Sequence, residues 1–270
     1  MRNARSLTAT AVALLLVLLS LVGPWLLPYD ALQPDYANTY APASAAHLLG
    51  TDALGRDVLT RTLAGGRTSL TVGLLATALA AVLGGTLGVL SQVGPRWLDA
   101  VLGRAFDALL AFPGFLLVLL VAVALGGGPL PLVVAMGVAG APSMFRLARG
   151  LARSAARLAH VEAARALGAR SLRVWVRHAL PGMLAPLAVQ AGSLFSTFLL
   201  VEATLSYLGV GIALPQPSWG NVLQDARGLL LRQPWAAVGP GAVLLAAAWS
   251  VQALADGWQE RDDRPVFDRV

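Results

Sequence analysis

The chain has 270 residues, of which 57% are hydrophobic and 13% charged, and its formal net charge is +6. Soluble domains carry about twice that charged fraction, which excludes an ordinary water-soluble enzyme or nucleic-acid-binding module. All 20 basic residues are arginine, so no Walker A lysine exists to hold nucleotide phosphates, and the absence of cysteine excludes disulfides and thiolate metal sites.

Uncharged runs recur at 6–29, 68–95, 108–145, 178–201, 203–224 and 233–255. A helix needs about 20 apolar residues to cross a bilayer, and 108–145 is long enough for two. The pattern predicts an all-α polytopic membrane protein with six helices, over 7–28, 68–92, 101–125, 130–148, 186–210 and 236–256.

The first helix follows Arg2 and Arg5, as in the charged start of a signal peptide, but the small residues at 43–45 lie too far beyond the apolar run for cleavage. Pro28, Pro34 and Pro42 close it. The stretch GTDALGRD at 50–57 places Asp52 and Asp57 around Arg56, an arrangement that favours a structured outer loop or short interfacial helix over metal ligation. In the second helix Gly84 and Gly88 form a small-xxx-small face for close helix packing within the subunit.

The third helix contains Asp107, which Arg104 can pair with from three residues earlier, and Pro113, which removes a ladder bond and predicts a kink suited to a gating helix or simply to packing. The GGGP at 126–129 splits the long run into a hairpin. In the fifth helix Glu202 is an intramembrane acid with no arginine within a turn, suited to a cavity or gate, or to an interhelical hydrogen bond. LPQPSWG at 214–220 ends that helix in a loop. The three histidines, His47, His160 and His178, are scattered and suggest no metal site.

Between the fourth and fifth helices the chain turns polar. Residues 146–180 hold eight arginines and one acid, Glu162, with Arg149, Arg153 and Arg157 spaced four apart on one helical stripe. With the N-terminus inside, fifteen arginines fall on the cytoplasmic side and five, Arg56, Arg61, Arg67, Arg227 and Arg232, outside. The positive-inside rule therefore predicts that both termini are cytoplasmic. A solvated loop explains the arginines but not EAARALG, where alanines give a smooth helix face and Gly168 a C-cap able to take positive φ. Pro181 then stops the following helix before the chain re-enters the membrane, completing a compact knob.

EAARALGA at 162–169 followed by ALP at 179–181 resembles the EAA loop of permease subunits of bacterial ABC importers. HLLGTDALGRDVLTRTLAGGRTSL at 47–70, DALLAFPGFLL at 107–117 and LSYLGVGIALPQPSWGNVL at 205–223 are similar to the dipeptide/oligopeptide/nickel branch of that family, in particular its C-type subunit. The four segments occur in the family's order. One departure is Gly182, where asparagine usually follows Leu-Pro.

The resemblance implies a type I ABC importer-like core of five helices plus an N-terminal helix. It divides the chain into an N-terminal helix and outer loop (1–66), a transmembrane domain (67–257) with a cytoplasmic coupling loop at about 149–185, and a cytoplasmic tail (258–270). It assigns ATPase coupling to Glu162, Ala163, Ala164, Arg165, Gly168 and Pro181, and leaves Asp107, Pro113 and Glu202 as candidates for the path or gate. The implied protein is a multi-pass permease of the bacterial inner membrane, not itself an enzyme, that binds no metal or cofactor. It forms half of a translocation path for peptides or similar small solutes, or alternatively for nickel, glutathione or another solute. Its implied partners are a homologous second permease, two ABC ATPase subunits that bind ATP and magnesium, an extracytoplasmic solute-binding protein and membrane lipid, but no nucleic acid. An ion-coupled secondary transporter would predict internal repeats and several mid-membrane charges, and neither is evident. An intramembrane enzyme would need clustered catalytic groups, whereas Asp107 and Glu202 sit towards opposite sides.

Overall fold

A computed structural model describes residues 2–159, 161 and 175–262. Its helices are α1 (Arg2–Leu26), α2 (Val58–Ala80), α3 (Thr86–Val93), α4 (Arg96–Leu110), α5 (Gly114–Ala124), α6 (Pro129–Ala155), α7 (Leu180–Tyr207), α8 (Trp219–Ala226) and α9 (Trp235–Asp262). The only β pairing among the described residues is an isolated bridge from Thr51 to Asp57. Among the described residues five helical segments are long and apolar enough to cross a membrane, and the bent pair α4–α5 raises the number to six when it is taken as one span. The protein is an all-α polytopic membrane protein, as its hydropathy pattern predicts.

Most of the surface of α1 is uncovered: Leu14, Leu15, Leu18 and Leu21 are exposed, while Ala9 and Ser20 face α2 and α9. Pro24 has no N–H for the Ser20 carbonyl four residues earlier. Arg67 supplies the missing donor from α2: Nε bonds Ser20 O at 2.9 Å, and Nη2 bonds Leu21 O. A side chain from the second helix thus repairs a defect in the first.

The second span begins at Val58, well before the predicted start at 68, because Asp57 caps it. The Asp57 carboxylate accepts from Thr60 N at 2.7 Å and Thr60 Oγ1 at 2.8 Å, satisfying an otherwise orphaned helix donor. The loop before it folds tightly: Gly55 has a φ of 75°, and a Cβ there would overlap the Asp35 carbonyl. From Val58 to Val93 the helix is continuous, with one π-helical turn at Ala81–Gly85.

The predicted kink at Pro113 is a right-angle break. α4 and α5 meet at 91°, with Pro113 acting as the N-cap of α5, so residues 101–125 are two helices. Proline excludes the helical conformation for Phe112 and removes a donor, and the break follows. α4 is amphipathic, with Arg96, Arg104 and Asp107 exposed and Asp99 turned towards α3 and α6, whereas α5 carries no polar side chain. α8 was also not foreseen. It lies in the loop after α7 and is built by a capping box in which Ser218 and Asn221 exchange bonds.

The core joins α2 (Val72, Ala76), α5 (Val118, Ala122), α6 (Leu132, Met136) and α7 (Phe198, Leu205). Lipid is as apolar as these side chains, so close packing rather than transfer from water holds such helices together. The closest packing occurs where α2 and α3 meet α6. A Cβ on Gly84 would overlap the Ala141 carbonyl, and one on Gly88 would lie 2.7 Å from the Phe145 carbonyl and 2.8 Å from Ala148 Cβ. The small-residue face therefore packs within the subunit, as its spacing suggests.

Gly84→Ala is accordingly expected to destabilise the protein by about 1–3 kcal/mol, because the obstructing atom is backbone and cannot turn aside. Gly85→Ala, with nothing within 4 Å of the added carbon, should be neutral or slightly stabilising. Thermal unfolding midpoints in detergent measure both. Equal midpoints for the two variants would contradict this packing.

Candidate coupling and gating site

The C-terminal end of α6 is held by one carboxylate. Asp99 of α4 takes a two-pronged bond from Arg149, Nε to Oδ1 at 2.6 Å and Nη2 to Oδ2 at 2.7 Å. Paired guanidinium–carboxylate bonds of this kind fix orientation as well as adding attraction. Gln92 of α3 donates to the same carboxylate at 2.9 Å, and Arg153 approaches it at 3.6 Å. Two members of the arginine stripe are thus an internal brace across α3, α4 and α6. Arg157, the third, is exposed.

Beyond α6, Val161 and Trp175 are both buried. Trp175, Ala179 and Met183 pack on Ala152 and Ala155, so the end of α6 and the start of α7 share one apolar cluster. Glu162, Ala163, Ala164, Arg165 and Gly168 lie outside the described residues. Pro181 does not separate two helices as its position suggests. A π-helical turn, Trp175–Ala179, runs directly into α7, and Pro181 occupies the first turn of α7 with its ring exposed. A missing N–H costs little at such a place.

Asp107 pairs with Arg146 of α6 at 2.9 Å and not with its own helix neighbour Arg104. Tertiary packing of α4 on α6 overrides the local option. Both partners are exposed, so the pair contributes little to stability.

Glu202 is fully buried. Its Oε1 accepts from Ser206 Oγ at 2.8 Å within α7, and the same hydroxyl accepts from Ile212 N at 3.0 Å. Ser69 of α2 and Ser218 of the α8 cap flank the carboxyl group, while Oε2 makes no bond of hydrogen-bonding geometry among the described residues. α8 covers this region closely: a Cβ on Gly220 would overlap the Ala203 carbonyl, and Trp219 donates from Nε1 to Thr62 O at 3.0 Å. Glu202 is therefore embedded at a junction of α2, α7 and α8, bonded to Ser206 within its own helix and faced by the Ser69 and Ser218 hydroxyls from α2 and the α8 cap.

At the opposite end of the spans from the Asp99 brace, charges gather in a buried knot. Arg56 Nε bonds Asp52 at 2.7 Å and its Nη2 meets Asp225 at 3.1 Å. Arg61, fully buried on α2, lies 3.4 Å from Asp52 and 3.3 Å from Asp225, and donates to Ala31 O at 2.9 Å. Burial pushes the Asp225 carboxyl above its ordinary value, against the pull of Arg61 and Arg56. Asp57, besides capping α2, receives His47 Nδ1 at 3.0 Å. The acids of GTDALGRD are thus engaged by arginine, histidine and backbone, and no group of three metal-ligating side chains occurs among the described residues. Arg61 and Asp225 were not singled out from sequence. They are 164 residues apart and meet only through the packing of α8 on α2.

An all-α membrane domain with a broken third span and a charged insertion between its fourth and fifth spans has the organisation of a transport permease. The family described as the binding-protein-dependent transport system inner membrane component matches residues 80–266. A putative peptide transport system permease protein of Brucella suis is 34% identical over 251 residues, covering 92% of this chain and 83% of that protein. The dipeptide transport system permease protein of Alkalihalophilus pseudofirmus is 33% identical over 92% of this chain and 81% of its own length. The glutathione transport system permease protein of Pectobacterium atrosepticum is 33% identical over 97% and 88%. The chain belongs to the binding-protein-dependent transport family and is a membrane permease of an ABC importer.

Arg61→Ala should be severe. It leaves two carboxylates on one guanidinium in a buried setting, and breaking such a pair costs about 3–5 kcal/mol. Asp107→Ala should cost at most about 1 kcal/mol. Yield of folded protein and thermal midpoint distinguish the two, and comparable losses would contradict this division.

Proposed function

We propose that the chain forms one half of a translocation path for peptides or similar small solutes. A homologous second permease supplies the other half, an extracytoplasmic binding protein delivers the solute, and two ABC ATPase subunits bind ATP with magnesium and supply the energy. Relatives named for peptide, dipeptide and glutathione transport support a peptide-like solute. The chain's lack of lysine supports placing ATP hydrolysis on separate subunits, since no Walker A loop is possible.

The observation that carries the coupling role is the pair of buried anchors, Val161 and Trp175, on either side of residues 162–174. Force from closing ATPases needs a stiff path into the spans, and α6 and α7 are tied together at the base of that segment. In this reading Glu162, Ala163, Ala164, Arg165 and Gly168 contact the ATPase, while Pro181 shapes the return into α7. Pro113 sets the angle between α4 and α5, which suits a helix pair that moves as a gate. Glu202, packed under α8, positions the outer gate rather than contacting solute. The division into an N-terminal helix and outer loop (1–66), a transmembrane domain (67–257) and a tail (258–270) follows the same reading.

The arginine asymmetry, fifteen against five, supports cytoplasmic termini in a bacterial inner membrane. The chain has no native cysteine, so single replacements report topology cleanly. Cysteine at the exposed Leu231 should react with an impermeant thiol reagent in intact cells, and cysteine at the exposed Arg157 should not. The reverse labelling would overturn the orientation.

Reconstitution tests the function itself. The subunit alone in proteoliposomes should show neither ATP hydrolysis nor uptake, whether ATP or an ion gradient is supplied. With its partner permease, ATPases and binding protein it should take up peptide in an ATP-dependent manner. Gradient-driven uptake by the subunit alone would instead establish a secondary transporter.

A further inference from the structure

A second feature lies away from both the coupling segment and the charged knot. Between α1, α2, α7 and α9 runs a cleft of about 480 Å³, lined by Ala13, Leu16, Leu70, Thr71, Phe195 and Val251 among others. That volume falls within the roughly 300–1,000 Å³ of sites that hold small ligands. Its walls are almost wholly apolar, and it opens beside α1, whose outward face is bare leucine. At one end the cleft meets a wider recess of about 920 Å³ bounded by Trp25, Tyr29, Asp30 and Pro215. Arg67 lines both spaces and so stands at their junction.

Arg67 is half-buried, and its contacts among the described residues are with the Ser20 and Leu21 carbonyls and the Trp25 ring, 5.9 Å from the guanidinium carbon. None of these carries negative charge. A guanidinium has five N–H donors, and two bonds leave donors free. A cation at the rim of hydrocarbon calls for a counter-charge, and among the described residues no carboxylate lies within ion-pair distance of Arg67, although Asp30 lines the same recess. Trp25 beside it is 79% exposed. An exposed tryptophan next to an arginine marks the depth of lipid headgroups.

We propose that the cleft holds an acyl chain of an anionic phospholipid whose phosphate rests on Arg67. The apolar walls match the chain, the free guanidinium donors match the phosphate, and Trp25 sets both at the membrane interface. Such a lipid would fill the space left between α1 and the rest of the bundle, beside the contacts that Ala9 and Ser20 make with α2 and α9. The inference rests on the membrane class alone and is independent of the solute carried.

The test is native mass spectrometry of the complete importer after equilibration with mixed vesicles of phosphatidylglycerol and phosphatidylcholine. This subunit should retain phosphatidylglycerol with a preference of about fivefold, the scale of one arginine at a lipid surface. Arg67→Gln should abolish the preference, and Arg67→Lys should keep most of it. Thr71→Trp, one helical turn from Arg67 on the cleft-lining face, fills the cleft while keeping the guanidinium, and should lower retention of both lipids; it also tests the site should loss of Arg67 disturb α1. Millimolar inorganic phosphate should displace nothing. Equal retention of the two lipids by the unmodified protein, undiminished retention in Thr71→Trp, or displacement by phosphate would each overturn the proposal. So would cross-linking of a benzophenone at Leu74, in the same cleft, to a protein subunit rather than to lipid.

Discussion

The close approach of α6 to α2 and α3 is the contact on which the other features depend. Two glycines, Gly84 and Gly88, let the helices meet backbone to backbone, with no room for a single added methyl. Helices in lipid gain nothing from burying leucine against leucine, so such an approach must come from small residues. Once α6 is set there, its C-terminal end brings Arg149 and Arg153 to Asp99, and its last buried alanines give Trp175 and Met183 a surface to pack on. The base of the polar insertion is therefore positioned from within the membrane.

Charge is sorted to the two ends of this frame. The Asp99 brace is half-exposed and links three helices through one carboxylate. The Arg56–Arg61 knot at the opposite end is buried and links the loop before α2 to α8, which lies over Glu202. Breaking either changes a different thing: the first the base of the polar insertion, the second the cover of the spans. A permease that opens alternately to its two sides needs both ends stiff while their relation changes, and the right-angle break at Pro113 is the sharpest bend among the candidate spans.

Much of this was legible from residue order. Hydropathy located the spans because a bilayer demands about 20 apolar residues per crossing, and Gly84 and Gly88 announced a close contact through their spacing. What could not be read was pairing at long range. Asp107 has Arg104 three residues away yet bonds Arg146, and Arg61 finds Asp225 only through the fold. α8 escaped because eight residues in a proline-rich loop give too short a period, although Ser218 and Asn221 carry its cap. Pro113 signalled a disturbance but not its angle, which neighbouring helices decide. Pro181 was misread because local rules treat proline as a stop, whereas here it sits just inside a helix start.

The central claim is that the segment between Val161 and Trp175 seats the ATPase. Its most direct test is Gly168→Asp, with co-purification of the ATPase subunits and substrate-stimulated ATP hydrolysis measured in the assembled complex. If Gly168 is the left-handed C-cap that its sequence position predicts, a side chain there costs about 1 kcal/mol, which a packed membrane domain can absorb. Bulk at a subunit contact costs several times more when it falls on a hot spot. The variant should therefore insert and pair with its partner permease yet lose the ATPases and transport. Full ATPase retention with full transport would contradict the claim and reduce the segment to a solvated arginine loop.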